Sequence, residues 1–313
     1  MEIAATVANQ ILIMFLLMAV GAIVAKLKYF SAGTIKEVNN FLIVFVISCA
    51  VINAFQMEYN ARYVKNLGII LVLSVVAHLI GIAIATFIFK KKDLKSKLSI
   101  FGSVYSNSSF MALPLLSSVF GTEGIFYGAA YIGVFNIFIW SHGVDLIDPN
   151  KIKGYKDNFI KIIKNPVVFS VFVGIFLYVT NIRFHQPVND VLGYIASLNT
   201  PLAMILLGVF ITKCNLLDAF KSGRIYLISF LRLLLIPIIL LFIVKGITLF
   251  VDLDKTLVLS LLISVGCPTA GTMAMMSERF DIDTGFAVKS ITVCTILSIV
   301  TIPFLMIIAQ KLI

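Results

Sequence analysis

Apolar residues run along this chain in long blocks, and charge, Gly or Pro appears mostly between them. The blocks predict ten helices, at roughly 4 to 25, 38 to 57, 67 to 89, 98 to 119, 122 to 143, 166 to 181, 191 to 213, 225 to 249, 256 to 277 and 285 to 309. Most of them approach the ~20 apolar residues that a helix rising 1.5 Å per residue needs to cross a bilayer core. The longest connection, Val144 to Asn165, reads VDLIDPNKIKGYKDNFIKIIKN. It is basic, and Phe159, Ile160, Ile162 and Ile163 fall near helical spacing, so it reads as an interfacial linker. It divides the chain into five-helix halves, residues 1–143 and 166–313, around a linker at 144–165.

Two of the apolar blocks are interrupted by polar residues and proline. The fourth contains Ser106 to Pro114, SNSSFMALP, and the ninth contains Ser264 to Thr272, SVGCPTAGT. Proline inside a helix removes one backbone bond and clashes with the preceding turn, at a cost of ~3 kcal/mol or more. Unwound backbone at membrane depth survives only where it is buried in protein or lines a wet cavity. Pro114 and Pro268 are therefore expected to mark equivalent breaks in helices 4 and 9. The segments after them would begin near the midplane with positive dipole ends, an arrangement suited to an anion. Asn199-Thr200-Pro201 gives a further kink signal in the seventh block.

Composition narrows the class. The 313 residues are 60% hydrophobic and only 13% charged, with a mean hydropathy of +1.05. Soluble domains carry about 25% charged residues, so nearly all of this chain belongs in a membrane. The net charge of +10 does not point to nucleic acid, because the basic residues lie between apolar runs, where they set topology. The odd-numbered connections hold most of the 25 Lys and Arg, which predicts a cytoplasmic linker and both termini outside. Halves with an odd number of spans would then be inserted in opposite senses, as inverted repeats. Cys49, Cys214, Cys267 and Cys294 fall singly, with no metal or disulfide spacing, and read as reduced packing residues. The N-terminus lacks a basic leader and reads as a retained first helix.

The candidate chemistry is sparse. No Asp or Glu falls in the core of a predicted span; Glu37, Glu123, Asp145 and Glu278 are at span ends. The ionisable groups within spans are His78, Arg232 and Lys289, and cations without carboxylate partners suggest an anionic substrate. Arg232 and Lys289 are also near enough to span ends to snorkel. His78 is either a proton-coupling group or a histidine bonded to a neighbouring helix. Asn107 and Asn136 suit carboxylate binding, since a neutral amide is cheaper to desolvate than a charge. Asn107-Ser108-Ser109 matches a glycosylation sequon that membrane depth makes inaccessible, and Met273, Met275 and Met276 read as packing. No Gly-x-Gly-Asp, His-Glu-x-x-His or paired carboxylate motif supports an embedded enzyme, and no cofactor is implied.

Asn107-x-x-Phe110-x-Ala112-x-Pro114, then Phe120-Gly121-x-Glu123-Gly124 and Asn136, resembles the auxin efflux carrier family. So do Pro268 and the run Thr295 to Pro303, TILSIVTIP. The resemblance covers essentially the whole chain. It implies an all-α integral membrane protein of ten transmembrane helices, in two inverted five-helix repeats whose broken helices 4 and 9 cross near the midplane. It supports Asn107, Pro114, Asn136, Pro201 and Pro268 as pathway or crossover positions. Ala112 stands where the family usually has glycine and Cys49 where it usually has proline. The long cytoplasmic domain of some plant members is absent.

The sequence thus predicts a plasma membrane carrier of a small organic carboxylate, such as malate, malonate or an auxin-like anion, working by alternating access. Asn107, Ser108 and the amides after Pro114 and Pro268 would hold the carboxylate. Asn136 and Thr269 would add side-chain bonds, and Lys289 or Arg232 positive potential. A sodium symporter of the bile-acid type and a sensor that transports nothing are the competing readings. Proton or sodium coupling and a homodimer are left open.

Overall fold

The computed structural model describes residues 2–148, 165–212 and 216–313. The predicted linker therefore lies almost wholly outside the described residues, as does Cys214. Among the described residues the regular structure is helical, apart from one isolated bridge pairing Ser106 with Thr269. In chain order the helices are α1 (Glu2–Lys26), α2 (residues 32–54), α3 (Ala61–Ile88), α4 (Leu94–Val104), α5 (Ser108–Ile147) and α6 (Pro166–Val179). They continue as α7 (Gln186–Thr212), α8 (Leu216–Phe220), α9 (Gly223–Ile247), α10 (Lys255–Gly266), α11 (Thr272–Arg279) and α12 (Thr284–Leu312). Helices α1, α2, α3, α5, α7, α9 and α12 contain the segments long and apolar enough to cross a membrane; α6 and α10 are shorter apolar helices.

Local chemistry sets many of these boundaries. Asn60, Asp93, Asn165 and Asp254 each precede an apolar run and accept a backbone N–H from its first turn. Two departures from the expected spans concern the fourth and fifth blocks. Block four is split, with α4 ending at Val104 and the rest of the block opening α5, while blocks four and five remain two helical segments that meet end to end within α5. Their expected boundary is a kink inside α5 at Gly121, which has φ 59° and ψ −138°. That left-handed backbone is open to glycine and costly for any residue with a Cβ. Pro114 does not break the chain either. A widened turn over Ser108–Ala112, in which Leu113 N–H reaches back to the Ser108 carbonyl, precedes it and lets the helix continue. In α7 the helix is interrupted at Leu198, just before Asn199 and Pro201.

The helices associate in two groups. α1 lies against α7, and α2 against α6 and the first half of α7; α1 also packs on α5 and α12, and α6 on α5, which joins this group to the second. The second group joins α3, α4 and α5 to α9, α10, α11 and α12. The α1–α7 pair comes into backbone contact through Gly21 and Gly208. A Cβ on Gly21 would collide with the Ile205 carbonyl, and one on Gly208 with the Met18 carbonyl. Without a hydrophobic force between helices in lipid, such close approach is the main source of association.

At one end of the bundle the connections before α3, after α6 and before α10 meet. The Asn60 N–H donates to the Tyr178 hydroxyl at 3.1 Å, Arg183 donates to the Met57 carbonyl at 3.1 Å, and Arg62 pairs with Asp254. The Asp254 side chain is 3% exposed against 64% for Arg62. It also accepts from Asn66 at 3.2 Å and from the Thr256 and Leu257 N–H groups at 2.8 and 3.2 Å. Asp254→Ala is expected to cost about 2–4 kcal/mol, from the lost cap and the buried donors left unpaired. Arg62→Ala, which loses a mostly exposed partner, should cost about 1 kcal/mol or less. Melting temperatures of the two variants in detergent check the asymmetry, and equal losses would refute it. At the opposite end Arg224 lies 4.0 Å from Asp93. The N–H of Ser96 donates to that carboxyl at 2.7 Å and is the main reason it is held below the usual carboxylate range.

Candidate functional site

Helices α4 and α10 end at the same place in the interior, and for different reasons. Cys267 precedes Pro268, whose ring pushes it out of the helical region to ψ 151°. Tyr105 leaves the helix at ψ 114° with no proline to force it. The two freed strands pair instead with each other. The Asn107 N–H donates to the Pro268 carbonyl at 2.7 Å, and the Ala270 N–H to the Tyr105 carbonyl at 2.9 Å. The antiparallel bridge Ser106–Thr269 is the centre of this crossing, and both residues are fully buried. The first break is thus at Tyr105–Asn107, upstream of Pro114, and its counterpart is the expected one around Pro268.

Phe101 accepts the last helical bond of α4, from the Tyr105 N–H at 3.0 Å, and the carbonyls after it have no partner within the helix and must find one elsewhere. Gly102 accepts from the Thr269 hydroxyl at 2.8 Å. Ser103 and Val104 accept from Arg232 Nη1 at 3.3 and 2.5 Å. Arg232 Nη2 donates to the Val265 carbonyl in the last turn of α10. Its side chain is buried, the residue being 1% exposed, and it lies on a widened turn of α9 that precedes Pro237. The snorkelling alternative for Arg232 is therefore wrong: its stem leads inward, because unpaired carbonyls at depth attract the guanidinium more than the interface does.

The predicted site residues sort into distinct environments. Asn107 is 3% exposed and Ser108 fully buried; Asn107 Nδ2 and Ser108 Oγ have no hydrogen-bond partner. Both stand where α5 begins. The Thr269 hydroxyl and N–H are used at the crossing, the latter donating to Cys294 Sγ at 3.4 Å, and Pro268 contributes its carbonyl. Asn136 donates to the Ile132 carbonyl of its own helix at 2.8 Å. Lys289 is half-buried near the start of α12. His78 stacks on Phe138 with centroids 4.9 Å apart, and its Nδ1 donates to the Ser74 carbonyl at 2.7 Å. That bond places the proton on Nδ1 and leaves Nε2 buried without a partner.

Several residues at the crossing were not singled out as binding candidates from the sequence. Asn199 Nδ2 donates to the Ser109 carbonyl at 2.7 Å, while its Oδ1 has no partner. It stood in the Asn-Thr-Pro signal and was read only as part of a kink. Tyr131 meets Ser106 Oγ at 3.3 Å and packs 5.3 Å from the His78 ring, so it links that histidine to the crossing. Nothing in the spacing of the sequence marks it.

Two small clefts lie beside Gly271, where the two helix groups adjoin. One is lined by Met18, Leu207 and Phe210 on one side and by Ala274, Val288 and Thr295 on the other. The second includes Asn39, Phe110 and Met275. Neither has room for much more than a water molecule. The family described as membrane transport protein matches residues 6–306. Comparison with curated proteins gives no match.

Proposed function

Because the chain belongs to the membrane transport protein family, the auxin efflux carrier family, we propose that this multi-pass membrane transporter is a secondary carrier of a small organic carboxylate. The observation that carries this reading is the pair of unpartnered buried groups, Asn107 Nδ2 and Ser108 Oγ, at the N-terminal end of α5. A buried donor left unpaired costs about 1–3 kcal/mol. A carboxylate would recover that cost, and the positive end of the helix dipole favours its charge. None of the residues named at the crossing is acidic, which speaks against a carboxylate-based cation site.

In this mechanism the α1–α2–α6–α7 group and the group holding the crossing move against one another. The boundary between them opens alternately to each face, and the clefts beside Gly271 mark it. Asn107 and Ser108 bind the substrate, with Asn199 facing the same region. Thr269, Pro268 and Pro114 set the backbone around it, Lys289 contributes positive potential, and Asn136 supports α5. The inverted halves, 1–143 and 166–313, and an outside location for both termini belong to this proposal. The contacts joining the connections before α3, after α6 and before α10 fit the alternation of spans, and the outside assignment rests on the basic residues between spans. His78, with Nε2 free to accept, is the group through which a proton would couple.

The test is uptake of labelled malate, malonate and indole-3-acetate into proteoliposomes holding the pure protein, under a pH gradient, a sodium gradient or neither. Saturable uptake of one acid is expected. Absence of flux for all three acids under all three conditions would overturn the carboxylate reading.

A further inference from the structure

Arg232 presents a charge where the crossing has a specific electrostatic need. Helices α4 and α10 end against each other at depth, and each brings about half a negative charge on its terminal carbonyls. Two like dipole ends facing one another in a medium that screens poorly repel strongly, and their carbonyls lack partners. Something positive has to stand between them. At the ends of broken membrane helices, carbonyls of this kind are able to coordinate a sodium ion or accept a proton-bearing group. Here the guanidinium takes the position, bonding to Ser103 and Val104 of α4 and to Val265 of α10 from a third helix, α9.

We propose that Arg232 is a permanent counter-cation built into the crossing, filling with a side chain the place that a bound monovalent cation would otherwise fill. It is a positioning residue: Nη1 and Nη2 are committed to backbone carbonyls, and its charge holds α4 and α10 at the distance where Ser106 and Thr269 pair. Tyr131, Cys267 and Cys294 lie around it and contribute no formal negative charge as neutral side chains, so among the described residues the hydrogen bonds of the guanidinium go to helix-end carbonyls. The site is full. For carriage, this inference rests on the transport reading and makes sodium unnecessary at the crossing.

The experiment is thermal melting of purified protein in detergent, in sodium chloride and in choline chloride at equal ionic strength. The wild type is expected to melt at the same temperature in both. Arg232→Gln keeps an amide donor and much of the volume but removes the charge. It should melt lower by on the order of 10 °C in choline and recover part of that loss in sodium, which would enter the vacated carbonyl site. Arg232→Lys should melt between the two proteins and show no sodium response.

Equal loss for Gln and Lys, or a Gln variant that melts alike in both salts, would overturn the proposal. Should Arg232→Gln yield no folded protein, a folded and sodium-indifferent Arg232→Lys supports it, and a Lys variant that also fails to fold overturns it. Melting reads the counter-cation directly. The expected melting pattern in a protein that moves none of the three acids would therefore sink the carboxylate reading alone.

Discussion

Asn107→Ala is expected to reduce saturable carboxylate uptake by about 10- to 100-fold, while the protein still inserts, purifies and melts as the wild type does. The size follows from one hydrogen bond to a charged group, worth about 1.5–3 kcal/mol. The separation of transport from stability follows from the local geometry. Asn107 Nδ2 has no partner within the protein, so removing it breaks no side-chain bond made by that atom. The bonds that hold the crossing use the Asn107 backbone, its N–H to the Pro268 carbonyl and its carbonyl to the Met111 N–H, and alanine keeps both. Uptake kinetics beside a melting curve decide the matter. Retained uptake would remove Asn107 from the site, and a collapsed melting temperature would make it a structural residue.

Gly208→Leu is expected to leave little or no folded protein. A Cβ at this position meets the Met18 carbonyl and lies 3.0 Å from the Ala22 nitrogen, which is backbone on both counts and cannot rotate away. Helices α1 and α7 would have to separate along their whole contact. Overpacking costs about 1–3 kcal/mol where side chains can adjust, and this site exceeds that range because they cannot. The same argument applies at Gly21 against the Ile205 carbonyl. As an internal control, Gly193→Ala in the same helix meets nothing within 4 Å and should be tolerated. Size-exclusion profiles and melting temperatures of the two variants test the prediction. A Gly208→Leu protein that elutes and melts like the control would show that the α1–α7 contact is not rigid.

Much of the architecture was legible in the chain because its causes are local. Apolar blocks near twenty residues long specify spanning helices, while the caps Asn60, Asp93, Asn165 and Asp254, local signals that the block boundaries did not use, set the observed starts. Pro268 forces Cys267 out of the helix by a clash with its own neighbour, so the break after α10 could be read directly. Asn107 and Ser108 stood out as polar residues in an apolar run, and each has a buried atom without a partner, as do Asn199 and His78.

The break after α4 could not be placed in the same way. Pro114 drew attention to the wrong turn, since a widened turn absorbs its missing N–H. The chain unwinds instead at Tyr105, where nothing local demands it. That unwinding is sustained by Thr269, Ala270 and Arg232, residues more than 120 positions away whose bonds replace those the helix lost. Arg232 shows the same limit from the other side. Its position in the sequence allowed either the interface or the interior, and only the two helix ends meeting beside it settle which is lower in energy.

The sequence alone determined that this is a helical membrane protein with interrupted helices and no obvious acidic centre, because burial of apolar length and proline sterics act over a few turns. Only the tertiary structure decided where the two interruptions meet and which polar atoms remain unpaired there. Satisfying buried carbonyls and opposing dipole ends is a property of three helices together, and no single segment carries it.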